Sequence, residues 1–249
     1  MKHSVKKLCL LLASATLSFP AFSADTVKQS CSSDEPVMAV YELETMNDHH
    51  NKSTQRVELL RNGHQIAIRY PAKNITEVWD QAANNKLHLI RYFDAYERGI
   101  EYQPEEIQGD HDWSLKRQLV SNQLIGEMTL RKTRGEGCDT LEYYVKKDEK
   151  AKLSLAWLPA QALLKRFEVK SNHSRTDWKL LEVRHDEKVI NAEFAHLASL
   201  YTTDYIDIGD NESDPFLLKM INLGFVTHGA SGFYDSEGHD IGSQHNHAH

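Results

Sequence analysis

From residue 37 to about residue 102, apolar and polar side chains alternate in short runs, the two-residue period of strands with one buried and one wet face. Residues 37–43 are rich in β-formers. Residues 56–61 and 64–70 flank Asn62-Gly63, a pair that tolerates the positive φ angles of a two-residue type I′ turn, so the segment predicts a hairpin with Ile66, Ile68 and Tyr70 on one face. Pro71 ends it. Residues 75–79 and 86–93, joined through Ala83-Asn84-Asn85, predict a second hairpin, and residues 99–102 a further strand. Alternation of this kind belongs to antiparallel sheets rather than to a sheet buried on both sides.

Residues 112–128, with Trp113, Leu115, Leu119, Val120 and Leu124, fit neither period and read as helix or loop. Strands resume at 128–132, 141–147, 152–157, 167–170 and 178–184. A helix is predicted over 192–201, capped by Asn191, with Phe194, Leu197, Ala198 and Tyr201 on one stripe. A second begins with Asp214 as N-cap and Pro215 at the first helical position, runs over 216–223 and closes at Gly224. The expected fold is mainly β with α, an antiparallel meander covered by two C-terminal helices, with Ile66, Ile68, Phe194, Leu197, Phe216 and Met220 buried.

The first 23 residues have a basic start at Lys2, Lys6 and Lys7, an apolar core over 8–17, and Ala21-Phe22-Ser23 as a small-x-small cleavage site. The apolar run is about half the length of a membrane span, and no later segment reaches that length. The expected organisation is a signal peptide over 1–23, a single β-rich domain over 24–238 and a flexible His-rich tail over 239–249, exported to a bacterial periplasm. Export leaves Cys31 and Cys138, which in an oxidising compartment are expected to pair. Closing a loop of that size stabilises by up to about 4–5 kcal/mol in the chain-entropy model. Loss of a leader carrying three lysines and no acids takes the net charge from −7 to −10, the wrong sign for a nucleic-acid surface.

The succession of leader, antiparallel hairpins, Leu155-Ala156-Trp157-Leu158-Pro159 ahead of Phe167-Glu168-Val169-Lys170, and then Trp178-Lys179-Leu180-Leu181-Glu182-Val183 resembles the LolA-like periplasmic lipoprotein carriers over residues 37–183. The resemblance implies a curved half-barrel of antiparallel strands whose concave face, covered by helices, holds acyl chains. It is architectural and carries over no residue's role.

Candidate chemistry concentrates at the C-terminus. In an extended chain His245, His247 and His249 share one face, and His239 or a nearby carboxylate completes a fourth position suited to Zn²⁺ or Cu²⁺; His228 and Asp235 are further candidates. A solvated tail that binds metal adventitiously, or an added tag interrupted by Asn246 and Ala248, are the competing readings. The acids of residues 204–214 fall at every third position, not the alternate positions of an EF-type loop, and suit helix-start chemistry. His228-Gly229-Ala230-Ser231-Gly232 lacks the spacing of a nucleophile elbow, and no zinc-protease, phosphate-loop or dinucleotide motif occurs. No catalytic residue or cofactor-binding motif is assigned.

The function expected is therefore a non-enzymatic carrier or binding protein for an apolar small ligand or lipid. Metal handling through the tail is the alternative, and a hydrolase with an unreadable site is the second alternative. For the tail, micromolar-class binding of Zn²⁺ or Cu²⁺ is expected, weakening below about pH 6.5 as protons compete for imidazole, with little change in melting temperature. Titrating Zn²⁺ into the mature protein and into a version ending at Gly238 checks this: equal binding by both removes the tail as the site.

Overall fold

The computed structural model describes residues 31–82, 84–211 and 213–222. The leader, its cleavage point, Gly224, and the candidate metal ligands His228, Asp235, His239, His245, His247 and His249 lie outside the described residues.

Two meanders share one sheet. β1 (Val37–Met46), β2 (Lys52–Asn62), β3 (Gln65–Tyr70), β4 (Ile75–Gln81), β5 (Leu87–Phe93) and β6 (Arg98–Tyr102) lie side by side in chain order. The chain then passes through two short helices, α1 (Trp113–Gln118) and α2 (Asn122–Glu127), to the opposite edge. There β7 (Thr129–Arg134), β8 (Leu141–Lys147), β9 (Ala151–Leu158), β10 (Leu163–Ser171) and β11 (Arg175–Arg184) run back in order until β11 pairs antiparallel with β1. α3 (Glu187–Ala198) then carries the chain across the sheet to its other edge, where β12 (Tyr201–Asp204) pairs with β6. This pair is parallel, which only such a crossover permits. A 3₁₀ segment (Tyr205–Asn211) and α4 (Pro215–Asn222) follow. The result is one open, curved twelve-stranded sheet, antiparallel apart from that pair, with helices at the C-terminal end.

Strand alternation sorts side chains onto two faces of different character. One face carries Val37, Ala39, Tyr41, Leu43, Val57, Leu59, Ile66, Ile68, Trp79 and Leu89 and continues through Leu153, Leu155, Leu163 and Trp178, with Phe216, Leu217 and Met220 of α4 packed onto it. The opposite face has a second buried apolar cluster beneath α3. There Met38, Leu60, Ala67, Val78 and Tyr92 meet Ile190, Phe194 and Leu197. All six residues expected in the core are buried, but the two C-terminal helices cover opposite faces.

Beyond α3 the opposite face is ionic. Asp177, almost fully buried, accepts from Arg166 at 2.8 and 2.7 Å and from Arg175 at 3.2 Å. Arg175 also reaches Glu168 at 2.6 Å, and Glu44 pairs with Lys52 at 2.7 Å. Directly opposed across β1, β11 and β10 are three acids, Glu44, Asp177 and Glu168, and the cations Lys52, Arg175 and Arg166 reach them from offset positions on β2, β11 and β10.

Three local expectations are corrected. The first hairpin turns at Gly63-His64, with Asn62 still paired to Gln65; only Gly63 has positive φ (58°), the Gly-first pattern of a type II′ turn rather than type I′. The helix expected over 192–201 begins at Glu187, because the Asp186 carboxylate accepts from the Val189 amide at 3.2 Å. Asn191 lies inside that helix, where its side-chain oxygen accepts from Asn62. Tyr201 opens β12, 67% exposed, instead of closing the helical stripe. Residues 112–128 form two short helices, capped by Asp112 and Ser121. The second C-terminal helix is capped as expected, with the Asp214 carboxylate accepting from the Phe216 amide at 2.8 Å.

Cys31 and Cys138 form a disulfide. It ties the chain just ahead of β1 to the β7–β8 connection. In that connection Gly135 has φ of 72°, and a Cβ there would fall 2.2 Å from the Asp139 carbonyl oxygen.

Two predictions follow from what holds the helices. Leu197→Ala, in a closed site under α3, should cost about 2–5 kcal/mol in chemical denaturation; a loss well below 1 kcal/mol would contradict its packing. At the start of α4, Arg98 donates to Asp214 at 2.6 Å, and this bond holds the carboxyl below its ordinary range. A depressed pKa contributes stability above the unfolded value and loses it as pH falls through the folded one. The melting-temperature gap between wild type and Asp214→Asn should therefore be constant from pH 7 to 5 and shrink below about pH 4.

Candidate ligand-binding face

In register across six strands of the apolar face lie Leu130, Tyr144, Leu155, Phe167, Trp178 and Leu43, on β7, β8, β9, β10, β11 and β1. Directly paired residues share a face, so these side chains form one continuous apolar row. Its inner members, Leu43, Leu155 and Trp178, are buried. Tyr144 and Phe167 are half-buried, and Leu130 is 47% exposed. Val169 and Ala151, also half-buried, widen the strip.

On this face α2 packs Leu124 and Ile125 against the core while both remain partly exposed. Lys146 of β8 donates to Glu127 at 2.6 Å and fixes the helix end above the strand. Six helical residues extend about 9 Å, whereas five strands at about 4.8 Å spacing span about 19 Å. The roof is shorter than the floor. Tyr144 donates to Glu142 at 2.7 Å; desolvation and that carboxylate push the hydroxyl up to about 12, so it stays protonated and the strip carries no phenolate charge.

At its inner end the row meets a polar pocket of side chains within the core. Trp178 makes an edge contact with Tyr41 at 6.2 Å between ring centres. Tyr41 is fully buried, and its hydroxyl has no hydrogen-bond partner among the described residues. Arg61, only 2% exposed, reaches from β2 to the β9–β10 turn, donating to the Ala162 carbonyl at 2.9 Å and the Gln161 carbonyl at 2.6 Å; a longer bond goes to the Arg117 carbonyl at the end of α1. Its Nε has no partner. Burial, with the charge of Arg117 added, pulls the guanidinium down to about 10, still fully charged at neutral pH. Trp79 sits two positions further along the same cross-strand row, its indole N–H also without a partner, and the Lys116 ammonium lies 4.3 Å from its ring centre.

A second feature of the apolar face is a half-open hollow of ≈ 200 Å³ at the β4–β5 end, lined by Ile75, Phe93, Ala95, Tyr96 and Met220 with Lys73 and Asn74. It falls below the ~300 Å³ at which drug-sized ligands are enclosed. Between hollow and polar pocket, Glu77 and Arg91 form a cross-strand ion pair at 2.8 Å with both side chains almost fully buried.

Among the described residues no group of three or more His, Cys, Asp or Glu is placed to hold a metal. Of the site residues expected from the sequence, Cys31 and Cys138 are described, and they pair. Tyr41, Arg61, Trp79 and Lys116 were not singled out from the sequence. A signal existed for one of them: Arg61 continues the inward parity of Val57 and Leu59, where an apolar residue is expected.

No family model matches the chain, and no curated protein matches it. Among solved structures it is similar to a DUF1329 family protein from Desulfovibrio piger, at 13% identity over 68% of this chain and 92% of that one, TM-score 0.38. It is similar also to a LolA superfamily protein from Nitrosomonas europaea, TM-score 0.32, and to an outer membrane lipoprotein-sorting protein domain from Vibrio parahaemolyticus, TM-score 0.31. Each of these two has 10% identity over 65% of this chain and 92% of its own length. The LolA-like resemblance read from the sequence thus recurs among solved structures.

Proposed function

We propose that the protein is an exported, non-enzymatic carrier that binds one apolar chain along the strip from Leu130 to Trp178. The observation that carries this reading is the mismatch between a five-strand apolar floor and a two-turn helical roof, which leaves apolar side chains of both partly wet. Exposed apolar area of this kind, contiguous and rimmed by Lys146, Glu127 and Glu142, marks a binding surface more often than an inert one. The opposite face of β10 and β11 carries an ion-pair network. The Cys31–Cys138 bridge supports an oxidising compartment, and no helix among the described residues is long and apolar enough to cross a membrane.

A dye-displacement titration with alcohols of eight to fourteen carbons tests the reading. Each methylene buried in the strip contributes about 0.8 kcal/mol, so affinity should rise about fourfold per carbon until the strip is full. Phe167→Ser should weaken dodecanol binding by about tenfold or more, and Leu218→Ser, on the exposed side of α4, should leave it unchanged. Displacement that ignores chain length, or that Phe167→Ser leaves intact, overturns the assignment.

A further inference from the structure

On the face of β7 to β10 that turns away from the apolar strip, the charges do not balance. Direct cross-strand pairing assigns to that face Lys132 and Arg134 of β7, Lys147 of β8, Lys152 of β9, and Arg166 and Lys170 of β10. The same four strands place a single acid there, Glu168. Arg166 and Glu168 are both engaged toward β11, the one by Asp177 and the other by Arg175. The remaining five cations are exposed, and none is paired with a carboxylate among the described residues. Three of them form a row: Lys147 faces Lys152, and Lys152 faces Lys170, directly across the ladder. Like charges so opposed destabilise a sheet. The acids of the adjoining β8–β9 turn do not offset the row, since the Asp148 carboxylate accepts from the Lys150 and Ala151 amides and Glu149 is matched by Lys150. Nor is the excess a by-product of composition, because the chain as a whole carries −7.

We propose that this outward face of β7–β10 docks on an anionic lipid bilayer. Four strands at about 4.8 Å spacing span about 14 Å, and the four residues from Tyr143, which faces Lys132, to Lys147 span about 13 Å. Five cations spread over an open face of that size match a plane of headgroups better than one bound ion. Tyr143 and Val145 lie half-buried on the same face, with the Arg134 guanidinium 5.9 Å from the Tyr143 ring centre. A tyrosine ring suits the boundary between headgroups and acyl chains, and lysine stems extend past it to reach phosphates. The acidic remainder of the molecule does not forbid the contact: charges farther from the bilayer than a Debye length of about 8–10 Å are screened, whereas the five cations lie against it. A nucleic acid could engage the same cations but would run on over the acidic remainder; a plane touches one face. Because this face is the reverse of the apolar strip, the proposal stands or falls independently of the carrier reading.

Co-sedimentation of the mature protein with vesicles tests it, at pH 7.5 where imidazole is mostly uncharged. The vesicles are phosphatidylcholine alone and phosphatidylcholine with about one-third phosphatidylglycerol. Binding should require the anionic lipid and weaken as salt is raised. Each lysine near such a surface is worth about fivefold, so the triple variant Lys147→Gln, Lys152→Gln and Lys170→Gln should lose about a hundredfold. Its melting temperature should be unchanged or raised, since a cross-strand repulsion is removed. The same three positions changed to Arg should keep wild-type binding. A control of equal net charge, Lys86→Gln, Lys188→Gln and Lys219→Gln, alters exposed lysines elsewhere and should also bind as wild type. Equal binding to both kinds of vesicle, equal weakening by the two Gln triples, or loss of binding in the Arg triple overturns the proposal. So does binding of a DNA duplex with none to vesicles, or binding of neither.

Discussion

Everything distinctive about this sheet depends on the pairing of β1 with β11. Met38 faces Arg184 at one end and Met46 faces Arg175 at the other, so two meanders separated by well over a hundred residues become one surface. Loop-closure entropy opposes such a contact, and only a long ladder offsets it. The pairing also brings Leu43 beside Trp178 and Tyr41 beside Leu180, which is why apolar rows cross from one meander into the other without a break. The Cys31–Cys138 bridge acts on this constraint: it tethers the segment ahead of β1 to the β7–β8 connection, and so shortens the search that the β1–β11 ladder must complete.

Arg61 holds the same junction from within. It leaves β2 and ends on carbonyls of the β9–β10 turn and of α1, so one side chain links three segments of both meanders. Hydrogen bonds to carbonyls orient a guanidinium without neutralising it, and the remaining charge is what makes the inner end of the strip different from an ordinary core. Glu77 and Arg91 show the contrast. They occupy inward positions directly opposite each other, and their charges cancel across the ladder. Arg91 thus has its counter-charge directly opposite, whereas Arg61 is held by backbone carbonyls.

Most of the sheet was legible in the sequence because a two-residue period needs no knowledge of topology: the strands of both meanders, the two hairpins and the buried Ile66 and Ile68 follow from alternation, and Phe194, Leu197, Phe216 and Met220 from helical spacing and caps. What alternation does not encode is where a strand lies once the chain has crossed the sheet. That Leu197 and Met220 serve opposite faces depends on α3 passing over β1 and β2, which no local pattern announces. The start of α3 was misread because Asn191 and Asp186 are both competent caps, and the choice between them rests on the contact of Asn191 with Asn62, distant in sequence. The turn at Gly63 was displaced by one residue because glycine suits either central position and register is set by the paired strands. The site was legible in part. Arg61 breaks an otherwise apolar parity and is visible as such, whereas Tyr41 and Trp79 look like any core aromatic until their polar atoms are followed to see where their hydrogen bonds go.

The two halves of the sheet differ in how firmly they are held, and this bears on how a ligand enters. Strands β1 to β5 are covered on both faces, by α3 on one and by the α1 and α4 packing on the other. β7 is exposed along its whole length and β8 is nowhere fully buried, and the outer face of β10 carries charge. Regions with few buried apolar contacts open at lower free energy than the core they adjoin. The strip therefore lies where the fold yields first, and the polar pocket lies where it yields last.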